Sequence, residues 1–316
     1  MSPQLVLTVS PPLTKKRPDK KRPDIVGDYA HQAMQKYVNH IFKQEKGVLA
    51  HDDPEFLHQM RVGLRRLRTA CKAFETVIVL PNEMNDRALK QLGKVLGRVR
   101  DLDVLQDWLS RYADDVNLKK SEKEAFCTLS KALKKQQKKY VVRMDSYLRG
   151  RAYKRFVKAV GQWLKRPQYR PLSRLPLCVA LPDLQLPMMG QLLQHPGWLV
   201  VDDADPTMLG QVHDLRKCIK GVRYQMALFS EFYGEEYTNQ VGAFRQMQDL
   251  LGKLQDETVL RSFLVDVLGS HWAKKIPSLN QYFQQQHQTL WQQWLGLRQP
   301  YLTLDRRDAL YKLFLQ

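Results

Sequence analysis

Apolar residues in this chain recur at steps of three and four, and the strict alternation of a strand is nearly absent. That period gathers the apolar side chains of a segment on one face of an α-helix. Val26, Tyr29, Ala33, Tyr37 and Ile41 predict a first amphipathic helix over about residues 26–45. Asp52-Asp53-Pro54-Glu55 then supplies an acidic cap, a proline at the first helical position and an acid in the first turn. A second helix is predicted from there to about Val79, stopped by Pro81. Leu89, Leu92, Val95, Leu96, Val99, Leu102 and Leu105 give a third over roughly 83–110. A fourth covers about 119–149 with a lysine-rich outer face, and a fifth runs from Tyr153 to Leu164. Prolines at 167, 171, 176, 182 and 187 mark 166–187 as a linker. After a short apolar piece, Met188 to Leu193, a second start signal at Asp205-Pro206 opens a helix reaching about Tyr233. Helices over about 235–268 and 277–296 and a last one from Asp305 to Phe314 complete the pattern, and the fold class it predicts is all-α.

The polar side of the second helix carries the chemistry. His58, Arg61, Arg65 and Arg68 fall within an arc of roughly 80° on a helix, while Met60, Leu64, Leu67 and Cys71 point away. The same stripe returns as His213, Arg216, Lys220 and Arg223, backed by Leu215, Ile219, Val222 and Met226. The two stripes are 155 positions apart, and that offset extends well beyond them. Phe74 matches Phe229, Leu96-Gly-Arg-Val-Arg-Asp101 matches Leu251-Gly-Lys-Leu-Gln-Asp256, and Val104-Leu105 matches Val259-Leu260. Lys90 matches Arg245 and Arg98 matches Lys253, whereas Lys94 meets Asp249. One ungapped offset over nearly fifty residues points to a duplicated helical unit, with half one at 25–165 and half two at 188–316. Two similar halves are expected to pack about a pseudo-twofold axis, which would bring both stripes towards one surface.

Charge narrows the partner. The chain has 51 Lys+Arg against 32 Asp+Glu, a net +19, well beyond what solubility asks. An anionic partner follows: nucleic acid, a phosphate polymer or an anionic surface. Cys71, Cys127, Cys178 and Cys218 are scattered with no CxxC, which reads as a reducing compartment, not a disulfide framework or zinc site. The apolar run Leu5–Val9 is broken by Pro11 and Pro12 and makes a poor signal peptide, and no apolar stretch nears the ~20 residues of a membrane span. A cytoplasmic protein with no membrane segment is expected. Residues 1–24 repeat a basic pentamer, Lys15-Lys-Arg-Pro-Asp19 and Lys20-Lys-Arg-Pro-Asp24, as in a disordered tail or an auxiliary electrostatic arm.

The stripes are nearly free of acids, and arginine suits them because its fork gives two hydrogen bonds to one phosphate while staying charged. Lys220 adds a point charge. For His58 and His213 two readings stand open: structural residues near helix starts, or donors to a phosphate oxygen. Asp101 and Asp256 read as braces for basic side chains, and Gly97 and Gly252 as places of close helix approach. No GxxxxGK[ST], GxGxxG, GxSxG or HExxH occurs, so no catalytic residue, metal or cofactor is assigned.

His58-x-x-Arg61-x-x-x-Arg65-Arg66-x-Arg68, followed by Leu96-Gly-Arg-Val-Arg-Asp101-Leu-Asp103, resembles the CHAD domain, the conserved histidine α-helical domain. His213-x-x-Arg216-x-x-x-Lys220-x-x-Arg223-Tyr224 is similar to the family's second half, and the resemblance spans about 25–316. It implies two similar four-helix bundles about a pseudo-twofold axis, binding inorganic polyphosphate in a basic groove and associating with polyphosphate granules. The implied contacts are His58, Arg61, Arg65, Arg66 and Arg68, with His213, Arg216, Lys220 and Arg223 opposite and Arg98 and Lys253 flanking. Gly221 stands where half one has Arg66, and Gln255 where it has Arg100, so half two contributes less charge. The family is often fused to a CYTH triphosphatase domain with an ExExK motif; none occurs here, and hydrolysis is not implied. The sequence therefore predicts a non-catalytic polyphosphate-binding protein. The rivals are a nucleic-acid-binding helical protein, which usually adds exposed aromatics, and an enzyme acting on phosphate chains.

Overall fold

A computed structural model of the protein describes residues 24–203 and 205–315. The basic tail expected over 1–24 falls, except for Asp24, outside the described residues. The architecture is all-α. A first series comprises α1 (Val26–Ala50), α2 (Pro54–Ala73), α3 (Asp86–Asp115), α4 (Lys120–Arg149) and α5 (Arg151–Lys165). A second comprises α6 (Leu177–Leu193), α7 (Pro206–Phe229), α8 (Glu235–Leu268), the single turn α9 (Trp272–Lys275), α10 (Pro277–Arg298) and α11 (Leu304–Phe314).

Local chemistry sets the starts. The Asp53 and Asp205 side chains each accept a hydrogen bond of 2.7 Å from the backbone N–H two residues on, ahead of a proline in the first turn. The second helix ends earlier than the spacing predicts, at Ala73 and not near Val79. Ile78 and Val79 instead form β1, paired antiparallel with β2 (Gln168–Tyr169). The run Val77-Ile-Val79 is β-branched, which disfavours helix and suits a strand.

The proline-rich stretch 166–187 is only partly a linker. It holds β2 and a short 3-10 turn, but from Leu177 onward it is α6, with Pro182 and Pro187 inside the helix. A proline leaves the carbonyl four residues earlier without its helical partner. Here those carbonyls belong to Cys178 and Asp183, which are exposed, so water can serve them. Burial of Leu177, Leu181, Met189, Leu192 and Leu193 then outweighs the lost bonds.

The core has three parts. One lies among α1, α2, the start of α3, the end of α4 and α5, and takes in the start of α6 and the end of α7. A second lies among α6, α7, the start of α8, the end of α10 and α11. The third joins the series, packing Leu109, Leu129 and Leu133 of α3 and α4 against Leu264, Trp272, Leu279 and Phe283 of α8, α9 and α10. Two separate bundles would lack it. At the same junction the buried Glu122 carboxylate accepts hydrogen bonds of 3.0 Å from the backbone N–H groups of Lys119 and Ser278, capping α4 and α10 together. Burial opposes its charge, yet those bonds hold its pKa below the usual carboxylate value. On the other side Phe74 and Phe229, matched positions of the two series, meet edge to face with centroids 5.7 Å apart.

Because the third core joins both series, the protein should unfold as one unit. Leu264→Ala, at a fully buried position in that core, is expected to destabilise by about 2–5 kcal/mol. Denaturant unfolding followed by circular dichroism should show a single transition at a lower midpoint; two resolved transitions would contradict the joint core.

Candidate polyanion-binding site

α2 and α7 pack against each other. Met60, Leu64 and Leu67 of α2 and Leu215, Ile219 and Val222 of α7 are buried, which leaves the two polar stripes side by side at the edge of a cleft that α2 and α3 line together with Lys220 of α7. The Arg65 guanidinium donates a 2.8 Å hydrogen bond to the Tyr224 hydroxyl, α2 to α7. Arg223 sits over the same ring, 4.2 Å from its centroid, and donates 2.9 Å to the Gln248 side-chain oxygen.

Lys220 lies at the centre of the crowd. Its ammonium is pushed down to about 7, first by burial and then by repulsion from Arg65, Arg216, Arg61 and Arg223. Two of those arginines come from each stripe. Arg61 and Arg216 are themselves held below their ordinary value, chiefly by burial.

Carboxylates neutralise little of this. Asp101 stands 3.5 Å from Arg61, and Asp86 binds Arg68 at 2.8 Å and Lys90 at 2.7 Å. Asp256 lies near Arg216 and Lys220 but forms no ion pair among the described residues, and the buried Nε of Arg216 has no hydrogen-bond partner there. The brace reading of Asp101 thus fits its contact with Arg61. An open cavity of about 620 Å³ lies on the α2–α3 side, lined by Arg61, Arg65, Arg68, Arg87, Lys90, Lys94 and Lys220.

Gly97 explains how Arg61 reaches its place. A Cβ there would overlap the Arg61 Nη1, so the missing side chain makes room for a guanidinium and not for a neighbouring backbone. At the matched Gly252 the nearest atom is the Arg216 Nη2, at 3.5 Å.

The histidines are half-buried. Burial holds His58 below the ordinary histidine pKa; Glu55 opposes the shift, while Arg100, Arg65 and Arg61 add to it. His213 is lowered by burial and Lys217, against a hydrogen bond with Gln255. Arg100 and Gln255 are matched positions, so one histidine faces a cation and the other an amide.

Three predicted residues lie elsewhere. Arg66 is exposed on the α1 side of α2, beside Tyr37. Arg98 is exposed on α3 and outside the cavity lining. Lys253 lines a separate depression of about 700 Å³ between α8 and α10, with Arg245 and Asp249. Conversely, Arg87, Lys90 and Lys94 line the cavity, and Tyr224 holds two of the stripe arginines, without having been assigned to the site. Arg87, Lys90 and Lys94 form a helical i, i+3, i+7 stripe that the spacing already carried. Among the described residues no group of His, Cys, Asp and Glu could hold a metal, and no helix is long and apolar enough to cross a membrane.

The class these features define is an all-helical protein with a cationic cleft between two helical series. Within that class the chain belongs to the CHAD domain family, whose model matches residues 32–265. The fold is similar to that of the CHAD domain from the plant Ricinus communis, with a TM-score of 0.58 and 22% identity over 92% of each chain. It is also similar to PptA from Streptomyces chartreusis, with a TM-score of 0.55 and 12% identity over 85% of this chain and 99% of that one. At such identities the likeness is one of fold. No curated protein matches the chain.

The crowding around Lys220 has a pH consequence. Its folded pKa of about 7 lies below the unfolded value of 10.5, so between these limits the unfolded chain binds more protons. Stability should therefore rise as pH increases from about 7 to about 10, and the penalty should be full below about 7. Lys220→Met should raise stability at neutral pH and flatten that rise in thermal melts across the window. An unchanged pH slope would show that Lys220 titrates normally.

Proposed function

We propose that the protein binds inorganic polyphosphate in the α2–α7 cleft without breaking it down. The observation that carries this is the set of cations from both series around Lys220 with too few carboxylates to neutralise them. Membership of the CHAD family supports the same reading. A linear phosphate polymer has no bases to read, so recognition rests on charge and on hydrogen bonds to phosphate oxygens. The forks of Arg61, Arg65 and Arg216 would each take two oxygens, and Lys220 would sit between them. An anion in the cleft relieves the repulsion that holds Lys220 down, so binding should restore its proton. His58 and His213 would gain protons in the same way. Counterion release should make affinity fall steeply with salt, by analogy with nucleic acids.

The nucleic-acid alternative is disfavoured by Tyr224, the aromatic side chain in this crowd. Its ring is covered by Arg223 and its hydroxyl is held by Arg65, so it is a poor platform for a base. The reading places the protein in the cytoplasm, at polyphosphate granules.

Arg65→Ala with Lys220→Ala should weaken polyphosphate binding at least tenfold, at about 1.5–3 kcal/mol per charged contact, while helix content stays intact. Long-chain polyphosphate should outcompete DNA and RNA at equal phosphate, and no phosphate should be released in the presence of divalent metal. Nucleic acid winning the competition, or phosphate appearing, would overturn the reading. Calorimetry at pH 8 in buffers of different ionisation enthalpy should show proton uptake on binding, reduced in Lys220→Met.

A further inference from the structure

Among the described residues, a strongly basic stretch also lies outside the cavity lining. Residues 120–165, which hold α4 and α5, contain 14 Lys and Arg against three Asp and Glu, a net +11 of the chain's +19. The matching helices of the second series do not share this. Residues 277–314, which hold α10 and α11, contain four cations and two acids, and the polar side of α10 is largely glutamine. The charge is thus not a requirement of the fold, because the same position is built nearly neutral in the other series.

The three acids of α4 and α5 do little to cancel it. Glu122 is buried as a cap, Asp145 pairs with His51 at 3.0 Å, and the exposed Glu124 forms no ion pair among the described residues. Among the described residues no lysine or arginine of α4 or α5 forms an ion pair. Lys131, Lys134 and Lys138 lie opposite buried Leu129, Leu133 and Met144 on α4. Lys154, Lys158 and Lys165 lie opposite buried Tyr153, Val160 and Trp163 on α5. All six are exposed.

We infer that this lysine face is a second contact surface for the same polymer, engaged by polyphosphate chains that outrun the cleft, so that affinity rises with chain length. The inference rests on the polyphosphate reading of the cleft. Lysines on flexible stems suit a ligand read by charge alone. The large apolar side chain exposed on these two helices is Val142, which offers no ring for a base to stack on. Reach is adequate: α4 has 30 residues, about 45 Å at 1.5 Å per residue. It packs along α3, which in turn packs on α2 and carries Arg87, Lys90 and Lys94 into the cleft. A chain seated in the cleft would meet the lysine face at high effective concentration, so modest contacts there multiply the overall affinity.

The test compares two ligand lengths, an oligophosphate of about ten phosphates and a polymer of several hundred. The variants are the full chain with Lys131, Lys134, Lys138, Lys154, Lys158 and Lys165 changed to Gln, and the Arg65→Ala, Lys220→Ala double variant. The glutamine variant is expected to bind the oligomer like the wild type. It should bind the polymer at least tenfold more weakly, with a shallower dependence on salt. Unchanged polymer affinity, or equal weakening for both lengths, would overturn the inference, the second outcome revealing a general field and no contact. If the glutamines weaken binding of duplex DNA but not of polyphosphate, the partner of this face is nucleic acid and the inference is wrong. Failure of the cleft reading looks different: the double variant would then bind both lengths as the wild type does.

Discussion

Repulsion among like charges, held in place by apolar packing, is the constraint on which the site depends. Left to themselves, Lys220 and the four arginines around it would separate and hydrate. They cannot, because the opposite sides of α2 and α7 are locked into buried cores. The Phe74–Phe229 contact and the third core hold the two series together on either side. Partly buried cations without full pairing are costly, and the ammonium of Lys220 gives way first, shedding its proton near neutrality. Sites where a fold tolerates such a conflict are candidates for function.

At positions paired by the 155-residue offset in the sequence, the two series differ in charge. On α3, Arg87, Lys90 and Lys94 face the cavity; the matched positions on α8 are Gly242, Arg245 and Asp249. Arg100 stands beside His58, where Gln255 stands beside His213. α4 and α5 are strongly basic, whereas α10 and α11 are nearly neutral. The site is therefore lopsided: of the α7 cations Lys220 lines the cavity with Arg216 and Arg223 near it, while α2 and α3 supply the other cations of the lining.

Most of the helical layout was legible because each helix announces itself through apolar period and cap. Asp53-Pro54 and Asp205-Pro206 fixed two starts through hydrogen bonds that involve only neighbours in the chain. α6 was hidden because its prolines argue against helix locally, while the apolar residues that hold it gain their value only from distant partners. The third core was hidden for the same reason, since no spacing within α4 says that it packs on α8 and α9. In the site, helical angles correctly separated the stripe residues from the core. They also set Arg66 on the far edge of α2, although the family resemblance had carried it in. The placement of Tyr224 under two arginines, and the room that Gly97 leaves for Arg61, depend on contacts between helices and could not be read from the chain alone.

The most direct test of the account is a crystal structure of the protein grown with polyphosphate. A phosphate chain is expected between α2 and α7, with Lys220, Arg65 and Arg216 within hydrogen-bond distance of its oxygens. A chain bound only elsewhere on the surface, with the Lys220 cleft empty, would contradict it.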